Sequence, residues 1–321
     1  MMIILETKEL AKSFRVRGRL VEAVKGVTMN VQAGEIFGFL GPNGAGKTTT
    51  MRMLTTLLKP SSGQATIAGI DLLQHSRQVR EKIGYVSQAG GAEGACSARE
   101  NLILQARFYG ITPHDANVRA NELLAALDLE QIADRPSSSY SGGQRRRLDL
   151  ALGMVHKPKL LLLDEPTAAL DPQSRAWLWA EVRRLNAEGT TIFMTTHYLD
   201  EADALCQRLA IIDDGRIVVE GTPDALKRQI VGDTITLGLQ FQPEIGHTVQ
   251  DLLQQQSYIH SLEYAEQTIR LVVDRGSEAL PLILRLIDDA NVQVQTVELS
   301  RPSLDDVFLK QTGRSLRESA N

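Results

Sequence analysis

A chain of 321 residues exceeds one average domain, so one large domain or two of unequal size are expected. The apolar, aromatic and charged fractions are those of a globular protein, and a net charge of -4 removes any bulk drive toward nucleic-acid phosphates or anionic lipid, so no nucleic-acid partner is expected. No apolar run approaches the roughly 18 to 20 residues that span a bilayer, the Met1 end has no signal-peptide layout, and Cys96 and Cys206 lie far apart without metal-ligand spacing, so the expectation is a cytosolic chain with reduced thiols.

Along the chain, Met2 to Leu5 alternates like a strand, and Ile36 to Leu40 reads as a buried strand running into a Gly-rich turn, with a helix from Thr48. Further strands are predicted at Ile83 to Val86, Leu160 to Leu163, Thr191 to Thr195 and Leu209 to Ile212, with helical segments between them. That is the pattern of an open α/β sheet. Leu160 to Leu163 is apolar throughout, as a strand buried on both faces should be. From Ser97 to Arg135 the pattern is helical only, with apolar positions at Leu102, Leu104, Ala106 and Phe108 and then at Leu123, Leu124 and Leu127, which suggests a helical subdomain inserted into the sheet domain. A strand over Arg216 to Glu220, the turn Gly221-Thr222-Pro223 and a short helix from Pro223 close this part.

The remainder reads as a small separate unit: strand Thr234 to Phe241, helix Ile245 to Gln255, strands Ile259 to Ala265 and Thr268 to Val273, helix Ser277 to Ala290, strand Val292 to Leu299 and a last helix over Leu304 to Gln311. The order βαββαβ is that of ferredoxin-like folds. The expected fold class is therefore α/β, an open sheet with an inserted helical subdomain (about 97–150), over residues 1–229, followed by an α+β ferredoxin-like accessory domain over 230–321.

Residues Gly41-Pro42-Asn43-Gly44-Ala45-Gly46-Lys47-Thr48 fit G-x-x-x-x-G-K-[ST] between a predicted strand and a predicted helix. Glycines let backbone N–H groups converge on phosphate oxygens, the helix start adds positive potential, Lys47 brings a charge, and Thr48 can hold Mg²⁺. A nucleoside triphosphate answers each of these features, so the α/β part over residues 1–229 is expected to be a P-loop NTPase. Asp164 and Glu165 end the apolar strand Leu160 to Leu163 at the carboxyl end, where open α/β sheets bind ligands. Asp164 can hold Mg²⁺, and Glu165 is suited to polarise an attacking water. His197, just after another strand, would point at the γ-phosphate. Arg145-Arg146-Arg147 reads as three arginines fanned over different helix faces, solvated or ion-paired, and not as a nucleic-acid stripe. The Ala-Gly-rich stretch Ala89 to Ala95 is expected to be flexible.

Ser141-Gly142-Gly143-Gln144 reproduces the signature motif of the ATP-binding cassette (ABC) family, which the chain resembles from about Ile3 to Gln229. The resemblance implies a nucleotide site using Thr49 beside Thr48. It also implies that Gln88, after Tyr85-Val86-Ser87, is the glutamine that reaches the catalytic metal, and that Ala169-Leu170-Asp171 is the loop carrying Asp171 at the subunit boundary. Phe14, in Lys12-Ser13-Phe14, then stands where an aromatic ring stacks on adenine. For this family the resemblance implies ATP and Mg²⁺ sandwiched in a homodimer, with Ser141 serving in trans while Lys47 and Glu165 serve in cis. The tail Arg301-Pro302-Ser303-Leu304-Asp305-Asp306-Val307-Phe308 and the run Leu148-Asp149-Leu150-Ala151 resemble the daunorubicin-resistance-type exporter ATPases, which carry an extra C-terminal domain. Their partners are separate membrane permeases, placing such a subunit peripherally on the inner face of the plasma membrane.

Two other classes compete. A soluble ABC-type ATPase of assembly, repair or translation is disfavoured by the single cassette and by the lack of heptad runs or CxxC pairs. A catalytically dead binding module is disfavoured by the joint presence of Lys47, Asp164, Glu165 and His197.

Overall fold

The structure, a computed structural model, describes residues 2–230, 232–240, 252–265, 268–290 and 292–313. The chain divides into two compact units, one over residues 2–223 and one over 224–313 of the described residues.

The first unit contains two sheets. One is antiparallel, in the order β2(Arg19–Gln32), β1(Ile3–Val16), β4(Ser62–Ile67), β5(Ile70–Asp71). The other has six strands in the order β10(Arg216–Gly221), β9(Arg208–Asp213), β3(Ile36–Leu40), β8(Thr191–Thr196), β7(Leu160–Asp164), β6(Ile83–Val86), parallel except for the β9–β10 pair. β3, β7 and β8 are buried at every position, which is why apolar residues dominate their centres, as at Leu160 to Leu163 and Ile192 to Met194, and make them visible in the sequence. The long β1–β2 hairpin was not: only its first residues alternate cleanly, and register shifts interrupt the pairing at several places. Val16 pairs with Arg19 across the two-residue turn Arg17-Gly18, both with positive φ, a geometry that matches the right-handed twist of the flanking strands.

The helices of this unit are α1(Lys47–Leu54), α2(Ser76–Arg80), α3(Ala98–Phe108), α4(Pro113–Ala126), α5(Gly142–Met154), α6(Pro172–Ala187) and α7(Leu199–Leu205), while α8(Pro223–Lys227) starts at its last residue and runs into the second unit. α3 opens on a capping box in which Ser97 and Glu100 satisfy each other's backbone N–H, and Thr112 caps α4, with Pro113 in its first turn. Leu123, Leu124 and Leu127 are buried as expected. Of the four apolar positions read on α3, only Leu102 and Ala106, four apart, face the core. Leu104 and Phe108 are exposed, Phe108 at 76%, because a spacing of two does not keep to one helix face.

In the second unit four antiparallel strands run in the order β12(Ile259–Ala265), β13(Thr268–Val273), β11(Asp233–Gln240), β14(Gln293–Ser300). In chain order this is 2-3-1-4, the arrangement of a ferredoxin-like sheet. The helix α9(Gly276–Asp289) contributes Ala279, Ile283 and Ile287 to a core with Ile235, Leu237, Ile269 and Leu271. The predicted helix Ile245 to Gln255 lies outside the described residues except for its last part, where residues 252–254 are helical and Leu253 is buried in the same core. The tail motif has a physical function: Ser303 and Asp306 form the capping box of α10(Leu304–Thr312), while Leu304, Val307 and Phe308 are its buried face. Among the described residues no helix is long and apolar enough to cross a membrane.

Candidate nucleotide site

Between β3 and α1 the chain wraps into a loop over residues 41–46. A Cβ on Gly41 would sit 2.2 Å from the carbonyl of Ile212, and Gly46 has φ 106 with only 2.6 Å to the carbonyl of Ala23. The sequence uses glycine at both positions because no other residue fits. Ala45 is buried in the core and its carbonyl accepts from Gly215 N at 3.0 Å, which fixes the middle of the loop.

Lys47 opens α1 and is only 4% exposed. Its ammonium donates to the carbonyls of Gly41 (2.8 Å) and Pro42 (3.1 Å) and lies 3.2 Å from Glu165 Oε1. Burial pushes its pKa down, and the Glu165 carboxylate opposes that shift. On the other carboxylate oxygen, Gln88 Nε2 donates to Glu165 Oε2 at 3.2 Å and His197 Nδ1 lies 3.1 Å away. The neighbouring His197 holds the Glu165 carboxyl below the ordinary glutamate range, outweighing burial with help from Lys47. One carboxylate thus collects three of the four residues read as catalytic.

Glu165 reaches this position through a left-handed turn (φ 44), with its N–H bonded to the carbonyl (3.2 Å) and hydroxyl (3.0 Å) of Thr195. The same hydroxyl donates to Asp164 Oδ1 at 2.6 Å. Asp164 is 1% exposed; burial pushes its carboxyl up and the Thr195 hydroxyl pulls it back. Thr195 is a site residue that the sequence reading placed only as the end of a strand.

The cleft bounded by Asn43, Gly44, Gly46, Lys47, Thr48, Thr49, Gln88 and Glu165 has a volume of about 340 Å³, within the range of small-molecule sites. Thr48, Gln88 and Asp164 offer hard oxygen donors of the kind Mg²⁺ takes. Among the described residues no group of three or more His, Cys, Asp or Glu could hold a metal alone. This donor set fits an ion that keeps waters and completes its shell with substrate phosphates.

The other expected residues lie apart. Ser141 caps α5, its Oγ accepting from Gln144 N (3.3 Å) while Gln144 Oε1 accepts from Ser141 N (3.0 Å). Ser141 and Gly142 are exposed, and a Cβ on Gly143 would lie 2.4 Å from the Ser174 hydroxyl of α6. Asp171 caps α6, accepting from Ser174 N at 3.0 Å and Ser174 Oγ at 2.7 Å, contacts that hold its carboxyl below the ordinary aspartate range. Among the described residues no hydrogen bond or ion pair joins Ser141–Gln144 or Asp171 to the Glu165 cluster. Phe14, partly buried on β1 with the Lys12 ammonium 5.3 Å from its ring centre, is not among the residues that line the cleft.

The chain matches the ABC transporter model over residues 24–168 and the C-terminal domain model of DrrA1-3-like ATP-binding proteins over 221–312. It is 42% identical to the daunorubicin resistance ATP-binding protein DrrA2 of Streptomyces coeruleorubidus, covering 91% of this chain and 90% of that protein. The chain belongs to the ABC transporter ATP-binding family. As an ABC ATPase it hydrolyses ATP to power transport. It is also 39% identical to a Nod factor export ATP-binding protein of Burkholderia pseudomallei, over 91% of this chain and 93% of that one. Among solved structures, a dimeric ATP-binding cassette in a post-hydrolysis state bound to ADP and Pi matches with a TM-score of 0.63 at 28% identity, covering 68% of this chain and 98% of that chain.

Two sequence readings of this cassette need correction. Arg146 is neither solvated nor ion-paired on the surface: it is 8% exposed, and its guanidinium donates to the carbonyls of Pro166 (2.7 Å), Ser87 (2.7 Å), Asp164 (3.3 Å) and Glu165 (3.3 Å). Its neighbours do differ from it in facing, as a helix requires. Arg145 bonds the carbonyls of Ser137 and Ser138, and Arg147 lies 4.0 Å over the Trp177 ring and 3.2 Å from Asp128. The signal was in the helix period: Arg146, Asp149, Leu150 and Gly153 share one face and all are buried. The stretch Ala89 to Ala95, expected to be flexible, is instead held by hydrogen bonds. Asp149 Oδ1 accepts from Gly91 N (2.8 Å) and Ala92 N (3.3 Å), Ser87 Oγ donates to Gly90 O (2.8 Å), and Asn101 bonds both backbone groups of Glu93.

An Arg146→Lys variant keeps the charge but cannot offer a planar fork to four carbonyls. It is expected to lose about 3 kcal/mol of stability in denaturant unfolding, the scale for breaking a buried charged network.

Proposed function

We propose that this chain is the ATP-hydrolysing subunit of an ABC exporter, a homodimer that drives a separate membrane permease from the inner face of the plasma membrane. The carrying observation is the convergence of Lys47, Gln88 and His197 on Glu165 beside the phosphate loop. In this reading the loop from Gly41 to Thr49 holds the phosphates through backbone N–H groups, Lys47 adds its charge, and Phe14 stacks on adenine. Glu165, kept ionised by its neighbours, takes a proton from the attacking water, and His197 reads the γ-phosphate. Thr48, Gln88 and Asp164 hold Mg²⁺, which when bound neutralises charge on the β- and γ-phosphates.

Ser141 and Gly142 are exposed and make no hydrogen bond or ion pair to these groups, which favours their use by a second copy: Ser141 of the partner subunit caps the γ-phosphate, with Asp171 at the same boundary. ATP then closes the dimer because the γ-phosphate bridges two chains, and ADP lacks that bridge. The relatives are named for drug resistance and export, nothing found favours a non-transport ATPase, and cargo selection lies in the permease. The test is the molar mass of a Glu165→Gln variant by light scattering at saturating ATP and Mg²⁺. A dimer, about twice the 35.3 kDa chain, is expected, reverting to monomer in ADP. A monomer at saturating ATP contradicts the mechanism.

A further inference from the structure

α5 grips the strand β6 and the segment after it at three successive points. At the first, helix and strand touch backbone to backbone: a Cβ on Gly84 would lie 2.0 Å from the Gly153 carbonyl, and one on Gly153 would lie 2.9 Å from Val86. At the second, Arg146 donates to Ser87 O at 2.7 Å, and by its other nitrogens to the carbonyls of Asp164, Glu165 and Pro166. At the third, the Asp149 carboxylate, 5% exposed, takes the N–H groups of Gly91 and Ala92. Glycine at position 90 is required there, because its φ is 82 and a Cβ would lie 2.8 Å from Asp149 Oδ2. Gln88 sits between the second and third points. Its carboxamide reaches Glu165 Oε2 at 3.2 Å from a backbone held on both sides by side chains of the helix that Ser141 caps.

We propose that Asp149 is a positioning residue for hydrolysis: by latching the 89–95 segment to α5 it holds Gln88 against Glu165, so that the signature helix and the hydrolytic carboxylate move as one body. The proposal rests on the ATPase reading of the Glu165 cluster. The small residues Gly90, Gly91 and Ala92 are then the counterpart of Asp149, since they let bare backbone N–H groups approach one carboxylate oxygen.

The test uses the full chain in three forms: wild type, Asp149→Ala, and Asp149→Asn, which keeps an acceptor oxygen without the charge. Hydrogen–deuterium exchange of the 88–95 segment is expected to quicken at least about tenfold in Asp149→Ala, the scale of one lost charge-assisted hydrogen bond, with β3 and β8 protected as in wild type. ATPase kcat should fall about tenfold with KM for ATP unchanged, because the loop that holds ATP is untouched, and Asp149→Asn should restore most of both signals. Unchanged exchange in Asp149→Ala, or quickened exchange with wild-type kcat, overturns the proposal. A rise in KM matching the fall in kcat also overturns it, since that is general loosening of the site. Wild-type protein that hydrolysed no ATP would instead defeat the ATPase reading, and the exchange arm would still report on the latch.

Discussion

Glu165→Gln is expected to lower kcat for ATP hydrolysis by about 10² to 10³-fold while ATP binding stays at least as tight as in the wild type. The amide preserves shape but cannot take a proton, so the step that activates water is lost. Binding is preserved for a separate reason. Lys47 is buried, with Glu165 as its ion-pair partner, and the variant leaves that cation with neutral acceptors, the carbonyls of Gly41 and Pro42 and the new amide, and with Asp164 as the remaining anion. A phosphate supplies the missing negative charge, so ATP should raise the melting temperature more in the variant than in the wild type. Calorimetry for Kd and a single-turnover assay for kcat separate the two effects. Normal turnover would remove Glu165 from the role of base.

Lys47→Ala is expected to do the opposite, raising the Kd for ATP by about 10 to 10²-fold, the scale of losing one or two charge-assisted hydrogen bonds to phosphate. The neutral side chain also leaves the Glu165 carboxylate facing the phosphates without a cation between them, so repulsion adds to the lost attraction. Hydrolysis should fall below detection at ATP concentrations that saturate the wild type. Wild-type hydrolysis in this variant would mean that the loop from Gly41 to Thr48 is not the phosphate site.

The site was legible wherever chemistry demands a local motif. Gly41 to Thr48, Asp164-Glu165 and His197 each sit at the end of a fully buried parallel strand, and the apolar centres of such strands, Leu160 to Leu163 above all, mark them in the sequence. The described strands of the second unit and its helix Gly276–Asp289 were legible too, most clearly at Thr268 to Val273, where exposed and buried positions alternate over most of the strand. What the sequence concealed are interactions joining residues distant along the chain. Arg146 reads as one of three surface arginines until Ser87 and Pro166 are brought around it, and Gly90 to Ala92 read as a loose linker until Asp149 is brought beneath them. Thr195 is one more β-branched strand residue until its hydroxyl is seen to bond both Asp164 and Glu165. Of the antiparallel sheet of β1, β2 and β4 only the strand start at Met2 to Leu5 was legible, because bulges further on break the period on which strand recognition depends.

Ser141 caps α5 from an exposed position, so Ser141→Arg should cost about 1 kcal/mol of cap energy and leave the chain folded. Alone, this variant is expected to hydrolyse no ATP, because both sites of its dimer lack the capping serine, and Lys47→Ala alone is expected to be equally inactive. Mixed in equal amounts, the two variants form heterodimers in which one site has both defects and the other has neither. The decisive measurement is the ATPase rate of that mixture. Recovery to about a quarter of the wild-type rate, half the dimers with half their sites intact, is the predicted result. A mixture as inactive as its components, or full activity in Ser141→Arg alone, would contradict a site completed by a second copy.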